Sequence, residues 1–155
     1  MPWSRLRGIP TWPSGQNGRM PKPPLPAEVA EFLRQPNYAT ISMVKADGSP
    51  VSVPTWYLFE NGRVLVNMDA GRRRIEWLRH EPRVALSAMD PADWITHVSL
   101  QGRVAQWVDD VDLVDIDRIA RHYTGAPYAA RSRPRVSAWI EVDRWHAWGR
   151  LRDVR

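Results

Sequence analysis

The sequence contains no cysteine, which excludes a disulfide, a thiolate metal site and a cysteine nucleophile. Lysine is almost as scarce: Lys22 and Lys45 are the only two, and every other basic side chain apart from histidine is arginine. No apolar run approaches the roughly 20 residues that span a bilayer, and the N-terminus has no apolar segment of the kind that marks a secretory signal. There is no Gly-x-Gly-x-x-Gly turn and no Walker loop, so the chain lacks the usual phosphate cradles of dinucleotide and nucleotide folds. No Gly-x-Ser-x-Gly elbow is present either. His80, His97, His122 and His146 include no pair at i, i+4, and no metal site is expected from them. These absences leave a cytoplasmic protein without a membrane segment as the expectation.

What is present suits a single folded domain. Hydrophobic residues make up 43% and charged residues 25% of the 155 positions, ordinary values for a globular chain long enough to bury a core. The net charge is +5. Two accounts fit its arginine bias: base composition of a GC-rich genome, or selection for anionic partners, which arginine grips as a planar fork. Residues 1–24 are rich in proline and glycine without periodicity, and read as a flexible N-terminal extension; Met20 would also make a natural start. Residues 25–150 are expected to hold the domain.

Within it, "PAEVAEFLRQ" predicts a short helix with Pro26 at its beginning and Val29, Phe32 and Leu33 on one face. Asp47-Gly48 and Asn61-Gly62 then punctuate three β-branched, aromatic-rich runs, the strongest short hairpin signals there are. They predict strands at about 38–45, 51–60 and 63–68 in meander order, with Pro54 placing the second at an edge or a bulge. A helix ended by Pro82 should follow, capped by Asp69. "RVALSAMD" and "WITHVSLQGRVAQWV" predict two more strands, the latter with Val98, Leu100, Gly102 and Val104 on one face. Asp109 and Asp110 should open a second helix that Gly125 stops, its carboxylates forming a solvated face. "RVSAWIEVDRWHAWG" reads as the last strand. The fold class is mainly β (α+β): one antiparallel sheet or small barrel with flanking helices.

One local pattern runs against the usual rule. A helix N-terminus carries partial positive charge and favours acidic residues, yet "DAGRRRIEWL" fills the first turn with Arg72, Arg73 and Arg74. If the segment before the helix is extended, Arg72 and Arg74 point the same way, and two guanidinium forks beside free backbone N–H groups make an anion site. The alternative is three solvated arginines whose repulsion is screened by salt. The strand "VSVPTWYLF" ends near this loop, and its backbone could lie along a planar ring whose phosphate sits on Arg72 and Arg74. Most of the nine tryptophans are accounted for by packing.

The run from "ATISMVKADGSPVSVPTWYLFENGRVLVNMDAGRRRIEWLRHEPRVALSAMD" through "WITHVSLQGRVAQWVDD" to "RVSAWIEVDRWHAWG" resembles the split β-barrel oxidoreductases of the pyridoxamine 5'-phosphate oxidase-like superfamily. It is most similar to the branch that uses the deazaflavin coenzyme F420. The resemblance covers about residues 25 to 149, and its most specific part is the basic loop followed by "L-R-x-x-P-R-V". It implies an FMN-binding split barrel fold and a cofactor phosphate on Arg72 and Arg74, with Arg73 beside them. It also implies a ring against Val53, Pro54, Thr55, Trp56 and Tyr57, and a pocket lined by Asn67, Met68 and Asp69. The sites of this family sit at a homodimer interface, so Gln101, Ser99 and Trp145 to Trp148 could contribute from a partner subunit. The implied reaction is hydride transfer from F420 to an unsaturated small-molecule substrate, with nucleic acid and membrane not expected as partners. No side chain is assigned as catalytic; a proton could come from water or from Tyr57. The alternatives are an FMN flavoprotein of the same fold, or a non-enzymatic module that binds a cofactor, haem or nucleic acid.

Overall fold

The computed structural model describes residues 20–154; the first nineteen residues of the expected extension lie outside it. Helix α1, Ala27–Leu33, follows Pro26 and buries Val29, Phe32 and Leu33, the face that the spacing predicts. Strands β1 (Tyr38–Val44) and β2 (Pro50–Thr55) form a hairpin around Asp47-Gly48, whose glycine sits at φ 83°. Strands β3 (Leu58–Glu60) and β4 (Arg63–Asp69) form a second one, with Asn61 at φ 51° and Gly62 at φ 76°, both left-handed as a type I′ turn requires. Helix α2, Arg73–His80, leads to β5 (Arg83–Met89) and β6 (His97–Asp109). Helix α3, Val114–Thr124, precedes β7 (Arg135–Ala147), and a 3-10 turn, Gly149–Leu151, comes last.

All seven strands belong to one antiparallel sheet in the order β2-β1-β5-β6-β7-β4-β3. The expected meander of three strands is therefore corrected. The run at 51–60 breaks after Thr55, and its two halves become the opposite edges of the sheet. Pro54, opposite Thr40, has no N–H to give a further ladder, so β2 ends as an edge strand. Only Trp56 and Tyr57 join those edges. Seven strands laid flat would separate the edges by about 29 Å at the usual spacing of about 4.8 Å. The three Cα steps from Thr55 to Leu58 reach about 11 Å at most. The sheet must roll until its edges nearly meet, which is a barrel.

The barrel interior holds Ile41, Met43, Tyr57, Phe59, Val66, Leu86, Leu100, Ala138 and Ile140 in one cluster. Val98, Leu100, Gly102 and Val104 are buried on one face of β6, as the alternation predicts. Every residue from Val64 to Met68 is buried, so β4 is covered on both faces. Leu65 is fully buried but outside the barrel cluster, as are Ile116, Ile119 and Ala120 of α3, which packs on β7. At Gln101/Gly102 the pairing of β6 with β7 shifts register, and a Cβ built on Gly102 would lie 2.1 Å from the carbonyl oxygen of Glu141. Glycine is required there by close approach of backbone to backbone. Gly102→Ala should lower the unfolding free energy by about 2–4 kcal/mol, measured by urea denaturation, because β6 and β7 must separate locally to admit a methyl group. Wild-type stability in that variant would mean that the bulge relaxes freely.

Candidate functional site

The loop from β4 to α2 is held by Asp69. Its Oδ1 accepts the Gly71 N–H at 3.1 Å, and its Oδ2 accepts a bond from Arg133 at 3.1 Å. These bonds, led by the Gly71 N–H, hold the Asp69 carboxyl below the usual carboxylate range. Asp69 is thus the brace of the loop rather than the helix cap expected of it. The cap position falls to Arg72, in extended conformation (φ −78°, ψ 128°), with no side-chain cap bond. Arg72 and Arg73 are exposed, whereas Arg74, one step further, is half-buried.

A second set of polar groups lies behind β4. Buried Asn67 donates through Nδ2 to Asp110 Oδ2 at 3.0 Å and to Ser137 Oγ at 3.1 Å. Its Oδ1 then accepts from Arg135 Nε at 2.6 Å. Asp110 is only 6% exposed, and its two oxygens accept the N–H groups of Asp115 and Ile116, both at 3.0 Å. The helix expected to open at Asp109 and Asp110 instead begins four residues later, after Leu113 in a left-handed conformation (φ 59°). Asp110 caps it from a distance, satisfying donors that every helix N-terminus leaves free. The expected solvated carboxylate face is corrected at this residue: Asp110 is structural and buried.

Between these two sets lies a cavity of about 450 Å³. Arg74, Asn67 and Arg135 form its polar side, and Ile116 and Ile119 of α3 its apolar side. Tyr38, Trp56, Tyr123 and Tyr128 supply aromatic walls, with Ala39, Pro54 and Thr55 between them. Trp56 stacks on Tyr123 (centroids 5.3 Å apart, planes 9° from parallel), and the Arg135 guanidinium lies 4.5 Å from the Tyr128 ring centre. Among the described residues, no carboxylate lines the cavity. The Nε of Arg74 is buried without a hydrogen-bond partner among the described residues. Burial, with the charges of Arg72 and Arg135 added, makes the protonated Arg74 less favourable than usual. An unpartnered guanidinium donor beside a second cation is the arrangement an anion would relieve. The walls suit a flat ring and the arginines a phosphate, so these residues fit a flavin-type cofactor.

The profile of the pyridoxamine 5'-phosphate oxidase family matches residues 25–149. The chain belongs to this family. Its fold is the split β-barrel of the oxidase family, shared with an F420 reductase (TM-score 0.72, 19% identity, covering 78% of this chain and 98% of the reductase). A conserved hypothetical protein of Mycobacterium tuberculosis is similar at TM-score 0.63 and 24% identity, over 82% of this chain and 86% of that one. General stress protein 26 of Bacillus anthracis gives 0.59 and 15%, over 78% and 91%. No curated protein matches the sequence. Members of the pyridoxamine 5'-phosphate oxidase family bind flavin-type cofactors, F420 or FMN.

Of the residues that the sequence points to, Pro54, Thr55, Trp56, Asn67 and Arg74 come together in the cavity. Val53, Tyr57 and Met68 turn into the barrel core instead. Tyr57 is 1% exposed, its hydroxyl 3.5 Å from the Gln35 carbonyl oxygen, and its phenol is pushed well above the ordinary tyrosine range by burial and by nearby Tyr123. It does not line the cavity, so the route for a proton through Tyr57 is withdrawn. Arg72, Arg73 and Asp69 stand outside the lining, and Gln101 lies on β6 between Ala85 and Arg144. Sequence reasoning misses Arg135, Tyr123 and Tyr128; the only local hint is the pair of aromatics flanking the Gly125 stop in "HYTGAPY". Asp110→Ala should cost about 2–4 kcal/mol by urea unfolding, since it leaves one Asn67 amide hydrogen and two α3 N–H groups without their acceptor. The Tyr123 phenol is raised by burial like that of Tyr57. For both, the native state favours the protonated form, so their contribution to stability is full below about pH 10 and declines as pH climbs toward the raised native values. The tyrosinate absorbance that develops by about pH 11 should be as large in Tyr57→Phe as in wild type; a loss of about a third would place that phenol in solvent, with Tyr123 still protonated.

Proposed function

We propose that this protein is an oxidoreductase that binds coenzyme F420 in the arginine-lined cavity and serves hydride transfer to an unsaturated small-molecule acceptor. The observation that carries the reading is Arg74: half-buried, unpartnered at Nε, beside Arg135 and in a cavity free of carboxylates. When bound, the deazaflavin supplies the hydride; the protein supplies binding, orientation and electrostatics. Arg74 is suited to hold the phosphate, and Trp56 and Tyr123 to bound a planar ring. The similarity in fold to an F420 reductase favours the deazaflavin. So do the exposed arginines on and beside the basic loop, Arg72, Arg73 and Arg133, which suit the oligoglutamate tail that FMN lacks. A homodimer is part of the reading, as the family resemblance implies, and Gln101, outside the lining of the cavity in its own chain, is then the residue a partner subunit would contribute.

Fluorescence titration with F420 and with FMN tests the proposal. F420 should bind more tightly, and its affinity should fall with salt more steeply than that of FMN, as the exposed arginines are screened. Arg74→Ala should weaken F420 binding by about 10- to 100-fold, the effect of removing a charge-assisted contact. Protein isolated with tightly bound yellow flavin would favour the FMN reading, and undiminished F420 affinity in Arg74→Ala would remove the phosphate site from Arg74.

A further inference from the structure

The polar side of the cavity contains a second guanidinium that the basic loop does not supply. Resting on the cofactor reading above, we infer that Arg135, at the start of β7, is the partner of Arg74 in holding the cofactor phosphate, and that Arg72 is not. Arg135 lines the cavity together with Arg74, whereas Arg72 is exposed and outside the lining.

The side chain of Arg135 is fixed before any ligand arrives. Asn67 gives both of its amide hydrogens away, to Asp110 and to Ser137, so its oxygen is the only end left for Arg135 Nε. The Tyr128 ring covers one face of the guanidinium at 4.5 Å. With Nε engaged and a face covered, the two terminal nitrogens keep their donors free among the described residues. Four of a guanidinium's five N–H groups are on those nitrogens, which is the edge that takes a phosphate in parallel bonds. Two like charges have been brought to one cavity without a carboxylate between them. A fork whose rotamer is set by Asn67 and Tyr128 loses little freedom on binding, unlike the exposed Arg72.

The test separates the phosphate from the ring. Wild type, Arg135→Gln and Arg72→Gln are titrated with F420 and FMN, and with the same chromophores lacking phosphate: the deazaflavin riboside and riboflavin. Arg135→Gln should weaken the phosphorylated compounds by about 10- to 100-fold and leave the phosphate-free ones within about threefold. Arg72→Gln should change the phosphorylated compounds by much less. Arg135→Lys, which keeps the charge but not the bond to Asn67, should fall between wild type and Arg135→Gln. Equal weakening of both kinds of ligand in Arg135→Gln overturns the inference, because it marks a disturbed cavity rather than a lost phosphate contact. A phosphate-dependent loss in Arg72→Gln but not in Arg135→Gln also overturns it, while leaving the cofactor reading in place. A wild type that binds none of the four compounds overturns that reading and this inference with it.

Discussion

The two-residue link of Trp56 and Tyr57 is the constraint from which the rest of the molecule follows. It joins the outermost strands of a seven-stranded sheet, so the sheet can exist only if it closes on itself. Closure gives the protein an interior, and alternation along each strand fills it with Ile41, Val66, Leu86, Leu100 and Ile140. The link also divides its own side chains. Tyr57 continues the inward alternation of Val51 and Val53 and enters the core; Trp56, its neighbour, is left on the outside against Tyr123. The wall of the cavity is thus a by-product of how the barrel is shut.

A buried polar chain performs the corresponding task for α3. Asp110 accepts from two N–H groups of the helix and from Asn67, Asn67 accepts from Arg135, and Ser137 donates to Asp115 at 2.7 Å. Burying a carboxylate is costly unless each of its lone pairs finds a donor. Here the donors are the free end of a helix and an amide on a strand, which ties α3 to β4 and β7 in a defined position. Because Ile116 and Ile119 line the same cavity as Arg135, the bonds that dock the helix also shape the site. Stability and site geometry share one network, so a change at Asp110 reaches both.

Legibility in the sequence followed the range of the interaction. Hairpins written in two residues, Asp47-Gly48 and Asn61-Gly62, are where the sequence places them, and so are the Gly125 stop and the alternation of β6. The family and its split barrel were legible too, through the run of motifs that ends in the basic loop. What escaped depends on partners far along the chain. Nothing near residue 60 says that β4 will pair with β7, with Asn67 opposite Ser137 across 70 positions. Asp110 looked like an ordinary residue of a helix first turn because its role depends on Asn67, 43 residues earlier. The arginine loop could be read as an anion site from Arg74, but Arg135 reaches the same cavity only through the strand order. Adjacent residues with the same chemistry, such as Arg72 to Arg74, are also separated only by burial, and burial is a property of the finished fold.

The charge that looks misplaced at the start of α2 has a consistent physical account. Its last turn carries Arg79 and His80, which agree with the helix dipole, while its first turn carries arginine, which does not. Exposed Arg72 and Arg73 are screened by solvent and cost little. Arg74 is different, since it combines partial burial, an unpartnered Nε and two cationic neighbours. A site of this kind is poorer in stability when empty than a neutral one would be. An anion that binds only the folded state returns that stability through mass action, about 2.7 kcal/mol at a ligand concentration of 100 times its dissociation constant. The same electrostatics that disfavours the empty cavity therefore gives the filled one its affinity, and the destabilising arginine is the one the site is built around.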